Sequence, residues 1–290
     1  MTQQTVALPD DPALIQVLSA LSAEGAQALV VGGAVRNALL GEPICDIDIA
    51  TSARPEDTIR LARAAGLRTV PTGVDHGTVT IIAGGRGYEA TSFRRDVETD
   101  GRHAVVAYSD SIEEDARRRD FTMNALYATL DGQVLDPVGG LSDLAQRKLR
   151  FVGDPRARIT EDYLRILRFF RFLAWYGREA DMQALAACHE LRAGLAQISR
   201  ERIGHEIRKL LAAPDPSQAV AFMAEAGVLP LVLPGADATD LSELIEAERD
   251  FGTGALPRWP RRVCSQASRR RPTSRSARAG ALRRPPADAT

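Results

Sequence analysis

The chain has 290 residues, 44% of them apolar, and a formal net charge of −1, so it can bury a sizeable core as one large domain or two smaller ones. Three scattered cysteines, Cys45, Cys188 and Cys264, argue against a disulfide framework or a zinc site. With no basic-then-apolar leader and no apolar run long enough to span a bilayer, the expected compartment is the cytoplasm, with no membrane partner.

Residues 11–24 predict a helix with Leu14, Ile15, Leu18 and Leu21 on one face. Ala28–Val31 predicts a strand that runs into Gly32-Gly33, followed by a short helix over Ala34–Leu40 stopped by Gly41 and Pro43. The two glycines remove side chains, so backbone N–H groups can approach a phosphate closely. Arg36 can add a bidentate contact. The pair is not the dinucleotide fingerprint, because no third glycine opens a helix at the required spacing. Asp46–Ala50 predicts a strand in which residues two apart point to the same side, so Asp46 and Asp48 project together while Ile47 and Ile49 face a core. Two adjacent carboxylates repel each other unless a cation sits between them. A pair of metal ions about 3.5–4 Å apart is what phosphoryl and nucleotidyl transfer needs.

A helix over Pro55–Ala65 ends at Gly66. Two β-rich runs, Thr78–Ile82 and Tyr88–Phe93, flank the hairpin signal Ala83-Gly84-Gly85-Arg86-Gly87. Glu89 on the second run is either a third acid beside the aspartates or a polar residue on a solvated face. The polar stretch from Arg94 to Ser111 predicts a long loop, functional or mobile. Beyond it the pattern is mostly helical, with a short β interruption near Tyr127–Leu135. The fold class is therefore α+β, with a head over residues 1–150, a boundary near Phe151–Asp154, and an all-α region over 151–250.

Arg117-Arg118-Arg119 precede a predicted amphipathic helix. They form either a solvated basic face or a site in which Arg119 holds a triphosphate or sugar while Asp120 and Asn124 organise the helix start. Residues 159–172 predict a helix capped by Thr160. Asp162, Arg165, Arg168 and Arg171 recur every third residue as a charged stripe. That stripe is either an ion-paired surface or a base reader. Cytosine and adenine both present an amino donor beside a ring-nitrogen acceptor, which a carboxylate and a guanidinium complement. Uracil and guanine reverse the pattern, and each bidentate match discriminates by roughly 1–3 kcal/mol.

From Arg258 onward there are ten arginines against one acid, Asp288, a net of +9 that leaves −10 on residues 1–257. Residues 251–290 read as an Arg/Pro/Ser-rich tail that cannot bury enough surface to order itself. A basic RNA-binding arm, a disordered tail and a reading-frame artefact are the alternatives.

Together these stretches resemble the bacterial branch of the tRNA nucleotidyltransferase/poly(A) polymerase family, within the DNA-polymerase-β-like superfamily. The resemblance rests on Gly32-Gly33-Ala34-Val35-Arg36, Asp46-Ile47-Asp48, Glu89 to Arg94, Arg118 to Leu126, Glu161 to Arg168, and Ile198 to Ile203 with Glu206. It implies a head with a mixed five-stranded sheet followed by helical neck, body and tail. It further implies addition of C, C and A to the tRNA 3′ end from CTP and ATP with Mg²⁺, and no obligate protein partner. By the same resemblance Asp46 and Asp48 are catalytic metal ligands with Glu89 beside them. Gly33, Arg36 and Arg119 resemble the triphosphate contacts, and Asp162 and Arg165 resemble the protein template with Arg168 and Arg171 beside them; Gly32, Asp120 and Asn124, read from the residues, join the nucleotide-binding set. The segment from Arg95 to Ala107 resembles the flexible element linked to the switch from C to A. Asn37 stands where the family usually has Asp. The helical pattern also gives way near Phe251, short of the body and tail that the resemblance implies. A poly(A) polymerase and a catalytically weak RNA-binding fragment are the competing readings.

Overall fold

An Asp–Pro step opens the first helix of this computed structural model. Asp11 accepts the Ala13 amide at 3.0 Å and Pro12 presets the first helical φ, so α1 runs Pro12–Leu21 with Leu14, Val17, Leu18 and Leu21 buried. The structure describes residues 4–100 and 103–239 with Leu241, Ile245, Glu246 and Asp250, for Asp75, 96–100 and 103–106 the backbone alone. The tail over 251–290 lies outside the described residues.

The apolar segment Ala28–Val31 forms β1, buried along its whole length, and turns at Gly32 into α2 (Gly33–Leu40). Strand β2 (Asp48–Thr51) lies antiparallel to it, with Val31 opposite Asp48. The strand starts two residues later than the alternation predicts, because β1 ends at the glycine turn and leaves Asp46 and Ile47 no partner there. After α3 (Pro55–Ala64) come β3 (Arg68–Gly73), β4 (Thr78–Ala83) and β5 (Arg86–Ser92). The β4–β5 pair is the predicted hairpin, and β5 then runs parallel to β2.

The predicted loop after Arg94 is instead a ribbon, β6 (Arg94–Asp100) with β7 (His103–Tyr108), in a sheet of its own. A ribbon paired only with itself need not show the apolar alternation of a half-buried strand, so its sequence reads as a loop. Next come α4 (Ile112–Arg117), β8 (Tyr127–Ala128), β9 (Val134–Leu135), α5 (Gly140–Ala145) and β10 (Lys148–Leu149). No amphipathic helix follows Arg119; a 3-10 turn over Thr122–Asn124 leads into β8. The head sheet has the order β3-β4-β5-β2-β1-β8-β9, seven strands rather than five, because two-residue β8 and β9 extend it beside β1.

Helices dominate the remainder: α6 (Pro155–Glu161), α7 (Leu164–Tyr176), α8 (Met182–Leu191), α9 (Arg200–Leu211), α10 (Ser217–Glu225) and α11 (Leu229–Val232). The helix predicted over 159–172 is broken in two. Asp154, not Thr160, caps α6, and the Thr160 hydroxyl donates back to the Arg156 carbonyl at 2.8 Å. Asp162 is extended, and its carboxylate accepts the Leu164 amide at 3.0 Å, which starts α7. An aspartate that bonds its own backbone competes with the helical ladder. Among the described residues no helix is long and apolar enough to cross a membrane.

Head and helices meet at an aromatic cluster and a short parallel ladder. Phe121 of the head packs 4.9 Å from Phe151 and 5.2 Å from Phe172, and Phe151 stacks on Phe169 at 5.6 Å. β10 pairs with β11 (Glu179–Ala180), the strand that follows α7. At this junction Arg168 Nε donates to Asp120 at 3.0 Å, and its Nη2 donates to the same oxygen. Burial alone would raise the Asp120 carboxyl, but Arg168 and donors from Asn124 and Phe121 outweigh it and hold the pKa at about 2.

Truncating Phe169→Ala should lower unfolding free energy by about 3–5 kcal/mol in urea denaturation. A carboxylate whose folded pKa is depressed stabilises the fold above its unfolded value, and that contribution is lost as pH falls through the folded pKa. The stability gap between the parent chain and Asp120→Asn should therefore shrink by about 2 kcal/mol as pH falls from about 4 to about 2. A gap independent of pH over that window would contradict the assignment.

Candidate active site

The site begins where β1 delivers the chain to Gly32. Its φ of 72° is a left-handed conformation that glycine adopts without strain. The Gly32 N–H donates to the Leu126 carbonyl at 3.0 Å, tying the turn to the segment before β8. A Cβ at Gly32 would lie 3.6 Å from the Asn124 carbonyl oxygen and 3.8 Å from Arg119 Nη1, so Arg119 faces the turn.

Parallel pairing of β2 with β5 sets Asp48 opposite Glu89, both on exposed positions, and β1 places Asp48 next to the turn. Asp46 reaches the same place from the segment ahead of β2. The surrounding protein partly desolvates Asp48 and raises its carboxyl pKa. Negative charge on Glu89 and Asp46 adds to that rise, and Arg119 opposes it. Asp46, Asp48, Glu89 and Arg119 thus share one electrostatic neighbourhood with an excess of negative charge. Hard carboxylate oxygens in that setting suit a hard divalent cation. Among the described residues no three His, Cys, Asp or Glu side chains are drawn together as a closed metal cage. A magnesium-type ion needs only one or two carboxylates, since it keeps several waters and takes substrate phosphates as ligands.

Arg119 is fixed from behind. Its Nε donates to the Tyr127 hydroxyl at 3.0 Å and its Nη2 to Asp115 at 2.9 Å. The Tyr127 hydroxyl in turn donates to Asp115 at 2.7 Å, and Arg118 Nε donates to the other Asp115 oxygen at 2.8 Å. Burial works against the Arg119 charge, yet Asp115 outweighs it and strengthens the protonated form. Sequence reasoning missed Tyr127; the signal was a phenol in an otherwise apolar, fully buried strand.

Arg36 lies inward, 5% exposed, with its guanidinium 3.8 Å from the centre of the Tyr176 ring. It donates to Asn37 Oδ1 from Nε at 3.2 Å and from Nη2 at 2.9 Å, and from Nη1 to Asn124. Asn124 Nδ2 donates to Asp120 at 3.1 Å, and Asp120 also accepts from Arg168. This polar chain joins the helix after the glycine turn to Arg168 of α7, while Arg36 also rests on Tyr176 at the end of the same helix. Arg171 Nε sits 2.9 Å from Glu206 Oε2 of α9, a charge contact in which neither atom makes a hydrogen bond.

The side chains of Asp162 and Arg165 are not brought together, although the Arg165 amide donates to the Asp162 carbonyl at 2.9 Å. Asp162 is paired with Arg202 of α9 at 2.7 Å, while Arg165 donates to Glu161 and to the Arg158 carbonyl at 2.7 Å. Glu161 stands four residues before Arg165, a spacing that local sequence offers for an ion pair, whereas Arg202 lies forty residues beyond Asp162.

Residues 28–150 match the poly A polymerase head domain, and residues 181–239 match the probable RNA and SrmB-binding site of polymerase A. A CCA-adding enzyme of Streptococcus gordonii is 42% identical over 241 residues, covering 82% of this chain and 59% of the relative. The mitochondrial CCA tRNA nucleotidyltransferase 1 of Danio rerio is 42% identical over 206 residues, covering 69% of this chain and 47% of the relative. The crystal structure of the Bacillus stearothermophilus CCA-adding enzyme in complex with CTP aligns with a TM-score of 0.69 at 38% identity, over 75% of this chain and 53% of that one. The chain thus spans between 47% and 59% of the length of these curated relatives. Similarity that runs from the glycine turn through the helices beyond the head shows that the chain belongs to the tRNA nucleotidyltransferase/poly(A) polymerase family.

Proposed function

We propose that the chain is a template-independent tRNA nucleotidyltransferase that adds C, C and A to the tRNA 3′ end from CTP and ATP, acting on cytoplasmic tRNA. The observation that carries this reading is the register of β2 on β5, which sets Asp48 against Glu89 beside the glycine turn that Arg119 faces. The CTP named with the Bacillus stearothermophilus structure supports the substrate class.

Asp46 and Asp48 would hold Mg²⁺, with Glu89 adding negative charge beside them. Divalent ions bound there supply a lower pKa for the RNA 3′-hydroxyl and neutralise charge on the leaving pyrophosphate. Gly32 and Gly33 keep the start of α2 open, so its N–H groups can meet phosphate oxygens. Arg119, held at a fixed angle by Asp115 and Tyr127, brings positive charge to the triphosphate. Arg36, Asn124, Asp120 and Arg168 keep the turn in register with α7. No side-chain nucleophile is required, because positioning and electrostatics account for most of the catalysis in phosphoryl transfer. Asp162 and Arg165 read the base, exchanging Arg202 and Glu161 for the donor–acceptor edge shared by cytosine and adenine.

Asp46→Asn should reduce nucleotide incorporation into tRNA about 10²–10³-fold, by analogy with losing one transition-state electrostatic contact, while far-UV circular dichroism stays unchanged. Incorporation at the parental rate would sink the metal-ligand assignment. Arg165→Ala should cut the preference for CTP over UTP, measured as a ratio of kcat/KM, by about 5- to 150-fold, the equivalent of roughly 1–3 kcal/mol. An unchanged ratio would remove Arg165 from base reading.

A further inference from the structure

Helices α7 and α9 lie side by side and point the same way. Asp162 meets Arg202 at their starts, Arg171 meets Glu206 midway, and Trp175 meets Lys209 near their ends. Helical spacing puts Arg168, Arg171 and Trp175 on one face, the face that Arg168 turns toward Asp120 of the head. The Trp175 indole is 38% exposed, yet it is not loose. Its Nε1–H donates to the Lys209 carbonyl at 2.7 Å, which satisfies its polar group and fixes the ring. Charges on Arg171, Glu206, Arg168 and, most weakly, Asp46 of the head act on the Lys209 ammonium. Burial and the neighbouring arginines disfavour the Lys209 ammonium. Among the described residues it has no carboxylate within 4.0 Å, whereas Arg168 and Arg171 each have one.

We infer that Trp175 and Lys209 form a subsite for the 3′-terminal nucleotides of the RNA primer, the indole stacking on a base and the ammonium meeting the adjoining phosphate. The inference rests on the nucleotidyltransferase reading and assigns that site its acceptor side. A pinned aromatic ring beside an unbalanced cation is how single-stranded nucleic acid is held without reading its sequence. Sequence tolerance matters here, because a primer that grows by C, C and A does not keep one terminal base throughout. Tyr176, the residue after Trp175, lies under Arg36 of the helix that follows the glycine turn, so this end of α7 sits on the side of the turn.

The chain has two tryptophans, Trp175 and Trp259, so Trp259→Phe in the full-length chain leaves Trp175 as the reporter. A short single-stranded RNA ending in CC should quench its fluorescence over the concentration range in which fluorescence anisotropy of the labelled RNA reports binding, and CTP alone should not. Trp175→Ala should weaken RNA binding and raise the primer KM about 5- to 150-fold with the CTP KM unchanged, and Trp175→Phe should restore most of the loss. Lys209→Ala should reduce the slope of log K against log salt by about 0.7, one phosphate contact on a single strand. RNA binding without quenching, or unchanged primer KM in Trp175→Ala, would overturn the subsite while CTP incorporation by the Trp259→Phe chain still upholds the nucleotidyltransferase reading. Absence of RNA binding would overturn the subsite as well, and loss of CTP incorporation in that same chain would mark failure of the broader reading.

Discussion

The ion pair between Arg168 and Asp120 ties the helical region to the head. Asp120 is largely withdrawn from water and Arg168 partly so, and the mutual attraction of two such charges offsets the desolvation cost only when their remaining hydrogen-bonding groups also find partners. Here Asn124 and the Phe121 amide complete Asp120, and Phe172 lies under Arg168 with its ring centre 5.6 Å away. Because Asn124 also holds Arg36, and Arg36 rests on Tyr176, the start of α2 cannot shift without disturbing α7. The aromatic cluster of Phe121, Phe151, Phe169 and Phe172 supplies the dry floor beside this chain of contacts.

This arrangement divides the work between two kinds of residue. Asp46, Asp48 and Glu89 are accessible and share negative charge. Arg36, Asp120 and Asn124 are withdrawn from water and set the angle between the turn and the helices. Arg119 belongs to both groups, since one edge of its guanidinium is held by Asp115 and Tyr127 while Nη1 faces the turn. The same chemistry that makes arginine a phosphate ligand, a rigid fork of donors, also makes it a good structural cross-link.

That double use explains what the sequence could and could not disclose. The glycine turn, β1, α2 and the β4–β5 hairpin were legible because each is fixed by neighbours in sequence. The parallel pairing that brings Glu89 beside Asp48 joins strands some forty residues apart, and local alternation offers only the possibility of it. Arg36 reads as a phosphate contact from its place after two glycines, but its surroundings come from Asn124 and Tyr176, far along the chain. The charged stripe over 159–172 was half legible: Arg165, Arg168 and Arg171 keep their spacing on α7, while Asp162 steps out of the helix to cap it. Its partner Arg202 comes from α9, which no local pattern could connect to it. The β6–β7 ribbon pairs only with itself, so its sequence need not carry the apolar alternation that marks a half-buried strand.

The most direct test of the account is the product formed on tRNA lacking its 3′ end when the chain is supplied with labelled CTP and ATP and Mg²⁺. The account predicts addition that stops after C, C and A. A homopolymer of A, or no addition by a chain that binds CTP, would contradict it.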